Sequence, residues 1–186
     1  PGRNLVIASP ALLTKENPNS WLNVFHDFKI AAEFESIGKL EKIIERGTER
    51  YDNVFIDEAH KFRNENNVSY ENLSAICRGK KVILVTATPL NNSPLDILSQ
   101  IKLFQKGKNS TIPGIKNLES FFKSLQRRLK DLDRKDDYDA YMDIVKDNAI
   151  QIRDKVLKHI MVRRTRKEID KYFKDDLKNQ GLKFPI

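Results

Sequence analysis

Apolar residues in this chain gather in short runs through the first half and in long helical stripes through the second. Asn4–Ser9 (NLVIAS), Val54–Ile56 (VFI) and Lys81–Thr86 (KVILVT) are brief and β-branched, and each is followed closely by polar residues or proline. Runs of this length between turn signals read as buried strands of a parallel sheet. Ile30–Phe34 is expected to add another short strand. Between the runs the period becomes helical. Ser20 can cap a helix from Trp21 to about Phe28, with Trp21, Val24 and Phe25 on one face. Leu40, Ile43 and Ile44 mark a second helix, with Gly47 near its end. Tyr70, Leu73, Ile76 and Cys77 mark a third that stops at Gly79. Pro94 suits the first turn of a fourth, running to about Phe104 with Ile97, Leu98, Ile101 and Phe104 inward. This β-α-β-α rhythm predicts an α/β fold with a parallel sheet and flanking helices.

From Lys116 onward the pattern is purely helical. Leu118, Phe121, Leu125, Leu129 and Leu132 predict one helix. Tyr138, Tyr141, Val145, Ala149, Ile152, Val156 and Ile160 predict a longer one, with Asp136-Asp137 at its positive N-terminal end. The expected division is therefore 1–104 for the sheet, 105–162 for a helical protrusion and 163–186 for a terminal segment.

Composition narrows the class. Charged residues make up 32% and hydrophobic ones 39% of 186 residues, enough for one domain with a proper core. No run approaches the roughly 18 apolar residues of a membrane span. A single cysteine, Cys77, excludes an internal disulfide or a cysteine-cluster zinc site, and fits a reducing, cytoplasmic setting. The net charge of +8 lies wholly in the second half. Residues 105–130 carry seven basic side chains against one acidic, 131–152 three against seven, and 153–186 eleven against five. Two basic zones flank an acidic one. Such zones are either the footprint of phosphate-backbone binding or a solvated helical exterior.

Candidate chemistry sits where the second strong run ends. Val54-Phe55-Ile56 leads straight into Asp57-Glu58-Ala59-His60. Open α/β sheets place ligands at the C-terminal edge of their strands. For a nucleoside triphosphate, Asp57 would hold Mg²⁺ through water, because Mg²⁺ takes few protein ligands. Glu58 would orient the attacking water, since phosphoryl transfer needs positioning more than covalent chemistry. The bland alternative is a polar strand end followed by a helix cap. Gly107-Lys108-Asn109-Ser110 is no phosphate loop, because it lacks the upstream glycine, and G-x-x-x-x-G-K-[ST] occurs nowhere in the chain.

Asp57-Glu58-Ala59-His60 is followed about 25 residues later by Thr86-Ala87-Thr88-Pro89. The pairing resembles motifs II and III of superfamily 2 helicases. The flanking Lys61-Phe62-Arg63-Asn64 and Pro89-Leu90-Asn91-Asn92 are similar to the extensions of the Swi/Snf-like ATPases. Arg63 stands where lysine is commoner, and Ala87 where many members have glycine. The resemblance implies most of a first RecA-like lobe, with Asn4–Ser9 as motif Ia and the helical insertions as protrusions. Val162–Ile169 looks like the Arg-Arg-x-Lys segment that closes that lobe, with Arg163, Arg164 and Thr165 followed by Arg166 in place of lysine.

The resemblance also implies ATP and Mg²⁺ as cofactors, double-stranded DNA as track, and a second RecA-like lobe as partner. Asp57 and Glu58 would be catalytic, with Asp57 at the metal. His60, Thr86 and Thr88 would relay the phosphate state. Ser9, Arg63, Asn92, Arg163 and Arg164 would face nucleic acid. A phosphate loop is expected upstream and the second lobe downstream, so the 186 residues alone are expected to show no appreciable ATPase activity. Two rivals stay open: a strand-separating RNA or DNA helicase, and a non-catalytic basic domain that binds nucleic acid.

Overall fold

The computed structural model describes residues 3–87, 93–130, 132–133 and 135–163, together with Glu168, Lys171, Tyr172, Asp175 and Asn179. Four strands, β1 (Asn4–Ala8), β2 (Ala32–Ser36), β3 (Asn53–Ile56) and β4 (Lys81–Leu84), form one parallel sheet in the order β2-β1-β3-β4. The central pair is the most apolar: Leu5, Val6, Ile7 and Ala8 of β1 and Val54 and Ile56 of β3 are at most 1% exposed. Strand period therefore sorts the residues into two faces. Val6 lies between Phe34 and Phe55 in register, while Leu5 pairs with Val54 and Ile7 with Ile56.

Each face has its own cover. The helix α1 (Trp21–Asp27) lies over the Val6 face, where Phe25 meets Phe34 and Phe55 edge-on with centroids 5.8 and 5.2 Å away. Ser20 caps it as expected, accepting from Asn23 N at 3.2 Å. The opposite face packs α2 (Leu40–Glu45) and α3 (Val68–Cys77) through Leu40, Ile43, Tyr70, Leu73, Ile76 and Cys77. Gly79 turns the chain from α3 into β4 at φ +73, a conformation open to glycine at little cost. Burial pushes the Cys77 thiol up to about 12, which makes it a packing group with little thiolate character at neutral pH.

Two strand and helix expectations shift. The short strand begins at Ala32 rather than Ile30, because Ile30 N is used to bond Phe25 O at 2.8 Å, closing α1 through a left-handed Lys29. Ile44 is 38% exposed, since α2 has only six residues and turns Leu40 and Ile43 inward.

The helical half builds a second core. α4 (Pro94–Lys102), capped by Ser93, buries Ile97, Leu98 and Ile101 against α5 (Leu118–Lys130). In α5 the buried residues are Leu118, Phe122 and Leu125, so Phe122 fills the place expected for Phe121, which is half-buried. α6 (Tyr138–Ile152) passes into one π-helical stretch, Arg153–Leu157, before a last turn, α7 (Lys158–Ile160). That stretch adds a residue per turn. The expected stripe carries on through it: Ile152 and Val156 are buried and Ile160 packs against the same cluster, joined by Leu157, whereas Tyr138 at the far end of the stripe is 57% exposed. Asn148 is a polar residue buried where α5 and α6 meet, donating to Leu125 O and accepting from Arg128. Arg128 also pairs with Asp147, whose carboxyl it holds below the usual range. Among the described residues, no helix is long and apolar enough to cross a membrane.

Candidate active site

β3 ends at Ile56, and Asp57 continues its line by donating its N–H to Ile7 O at 2.9 Å. Asp57 is thus fixed at the C-terminal edge of the two central strands, and only 9% of it is exposed. Both of its carboxylate oxygens are engaged. Oδ1 accepts from Glu58 N at 2.8 Å, and Oδ2 accepts from the Trp21 indole Nε1 at 2.9 Å. Each oxygen keeps a further lone pair.

Glu58 takes the left-handed conformation, φ 52 and ψ 43. For a residue with a Cβ this costs about 1–2 kcal/mol, and strain of this kind gathers at functional sites. The turn separates the two carboxylates: Asp57 stays in the sheet, while the Glu58 side chain stands 38% exposed. The chain then enters a short 3-10 turn, Ala59–Phe62, whose Ala59 and Phe62 are buried.

The β3–β4 ladder continues beyond the strands. Val85 N donates to Ile56 O at 2.8 Å and Ala59 N to Val85 O at 3.0 Å. This brings Thr86 beside the turn. His60 Nδ1 lies 3.0 Å from Glu58 Oε2 and 3.3 Å from Thr86 Oγ1. The imidazole is hydrogen-bonded with the Thr86 hydroxyl, the direction set by its tautomer, and lies within ion-pair distance of the Glu58 carboxylate. One ring therefore links the acid to the end of β4.

Asp57, Glu58, His60 and Thr86 come together at one sheet edge, through the Glu58–Asp57 and His60–Thr86 hydrogen bonds and the close approach of His60 to Glu58. Ser9 shares their sheet edge: it precedes the turn Pro10–Leu12 at the end of β1, and its backbone carbonyl accepts from Leu12 N. Arg63 is exposed at the end of the 3-10 turn, beside a groove of about 380 Å³ lined also by Asn64, Leu95, Ser99 and the Lys102–Glu65 ion pair. Arg163 belongs to the helical half and is exposed beyond α7. Thr88, Asn92 and Arg164 lie outside the described residues.

Trp21 is the site residue that sequence reasoning missed. It is half-buried and stacks edge-on against Phe25 at 5.9 Å, so it anchors α1 as expected, but its N–H is spent on Asp57. The signal was present in two periods. Phe55 and Asp57 share a strand face, and Trp21 and Phe25 share a helix face. Two strand residues rise roughly 6.6 Å and four helix residues roughly 6 Å. With Phe25 set on Phe55, Trp21 falls level with Asp57.

The SNF2-related domain model matches residues 12–180, nearly the whole chain. The chain belongs to the SNF2-related domain family. Membership in this family of ATP-dependent, helicase-like motor domains accords with a partial RecA-like sheet flanked by helices. Comparison with curated proteins finds no match.

The donor set also suits a nucleotide-borne Mg²⁺. Among the described residues no group of three or more His, Cys, Asp and Glu side chains could cage a metal. Mg²⁺ in phosphoryl-transfer sites is held by one or two carboxylates with waters and substrate phosphates. A nearly buried, pinned Asp57 beside a more exposed Glu58 has that form.

Proposed function

We propose that this SNF2-related chain forms part of the motor of an ATP-driven translocase acting on double-stranded DNA. The observation that carries the reading is the pair Asp57 and Glu58 at the C-terminal edge of a central parallel strand, tied by His60 to Thr86. Asp57 would hold Mg²⁺ through water, the ion supplying charge neutralisation at the phosphates when bound. Glu58 orients the attacking water and accepts its proton, a role open to a carboxylate that stands clear of the sheet. His60 limits the directions in which Glu58 can point.

His60 and Thr86, continued by Thr88, would carry the phosphate state from the edge of β3 to β4 and on to a second RecA-like lobe. The mechanical step is then a population shift between lobe arrangements that contact ATP and ADP differently. Ser9, Arg63, Asn92, Arg163 and Arg164 are the residues assigned to the DNA backbone. Exposed Lys123, Arg127 and Lys130 along α5 add to the positive surface. The compartment proposed is the cytoplasm.

The test uses a protein that joins this chain to a phosphate loop and a second lobe. Its Mg-ATP hydrolysis should rise with duplex DNA, more than with single strands or RNA, and the stimulation should fall steeply with salt. Stronger stimulation by single strands or RNA would make it a strand-separating helicase. Salt-sensitive DNA binding with no hydrolysis would make it a binding domain.

A further inference from the structure

The Trp21 indole has a second role besides packing α1. We infer that Trp21 is a positioning residue for the metal-facing carboxylate, an inference that rests on the reading of Asp57 given above. Three observations support it. The indole N–H meets Asp57 Oδ2 at 2.9 Å while the Glu58 N–H holds Oδ1 at 2.8 Å, so the carboxylate is gripped at both ends and cannot rotate freely. The indole is itself fixed, through Phe25, to Phe34 and Phe55 of the sheet. The contact spans 36 residues of sequence and two elements, so the fold must be assembled for it to form.

The choice of donor matters chemically. An indole N–H donates only and carries no charge. Lysine or arginine in its place would pair with the carboxylate and compete with a divalent cation. Trp21 orients Asp57 without neutralising it, and leaves a lone pair on each oxygen for a metal-bound water. Groups that hold a ligating carboxylate from behind tune metal affinity and activity by roughly 10–100-fold when removed.

The experiment replaces Trp21, in the protein that carries a phosphate loop and second lobe, with 3-benzothienylalanine, which keeps the bicyclic shape and puts sulfur where the N–H was. Trp21→Phe runs beside it. Mn²⁺ binding in the presence of ADP is read by electron paramagnetic resonance, with melting temperature as the check on packing. The Mn²⁺ dissociation constant is expected to rise on the order of 10-fold or more in both variants, with the melting temperature of the benzothienyl protein unchanged. The Mg²⁺ concentration for half-maximal hydrolysis should rise in parallel, while KM for ATP at saturating Mg²⁺ stays put. Unchanged Mn²⁺ affinity in the benzothienyl protein would overturn the inference. A loss confined to Trp21→Phe, or one that tracks a lowered melting temperature, would mark a packing residue and overturn it too. No nucleotide-dependent Mn²⁺ binding by the wild type would instead remove the reading of Asp57, and the inference with it.

Discussion

Glu58→Gln is expected to leave nucleotide binding nearly intact and to lower ATP turnover on the order of 10²–10⁴-fold, the range for losing a positioned general base. The substitution isolates the chemistry. Glutamine keeps the length of the side chain and an oxygen that can accept from His60, which lies 3.0 Å from Glu58 Oε2. It also keeps a Cβ, so the left-handed backbone at φ 52 is held at the same cost. The negative charge is lost, and with it the ability to take a proton. Nucleotide affinity and single-turnover hydrolysis should be measured on the same preparations. Equal affinity with collapsed turnover supports the role. Turnover within a few-fold of wild type would place the base elsewhere.

Phe122→Ala is expected to cost about 3–5 kcal/mol of folding stability, the range for truncating a buried aromatic ring. Phe122 is fully buried among Ile97, Leu98 and Ile101 of α4 and Leu125 of its own helix. A domain holds only about 5–15 kcal/mol in total, so the helical half would be brought near its limit. The neighbouring Phe121→Ala should cost nearer 1 kcal/mol. Phe121 lies at the rim of the same cluster, with its ring edge-on to Phe122 and Lys155 5.8 Å above it. Urea unfolding would show a large midpoint shift for Phe122→Ala and a small one for Phe121→Ala, with similar slopes. Equal shifts would mean that the two rings share the core.

That pair also shows where sequence patterning ran short. A stripe through Leu118 and Leu125 can pass through either of two adjacent phenylalanines at helical spacing. Which one turns inward depends on where α4 lies, a tertiary fact. The π-helical stretch at Arg153–Leu157 was not legible either: it turns Leu157 inward beside the expected Val156, and a 3.6-residue pattern carries no sign of it. The central strands β1 and β3, by contrast, were legible as apolar runs, because a strand covered on both faces leaves little room for polar residues. β2, which reads AEFES, carries two glutamates and was expected two residues early. The meeting of Asp57, Glu58, His60 and Thr86 followed from two runs ending in polar motifs at one sheet edge. Trp21 escaped because indole is read first as hydrophobic bulk, and its polar atom signals a partner only when the opposing face is known.

ATP turnover at the edge of β3 is proposed to drive movement along intact duplex. Displacement of a third strand from a DNA triplex tests it most directly, in a protein joining this chain to a phosphate loop and second lobe. Displacement that requires Mg-ATP, proceeds without separating the underlying duplex and is lost in Glu58→Gln is the predicted result. Separation of a forked duplex with the triplex left in place, or displacement that persists in Glu58→Gln, would contradict it.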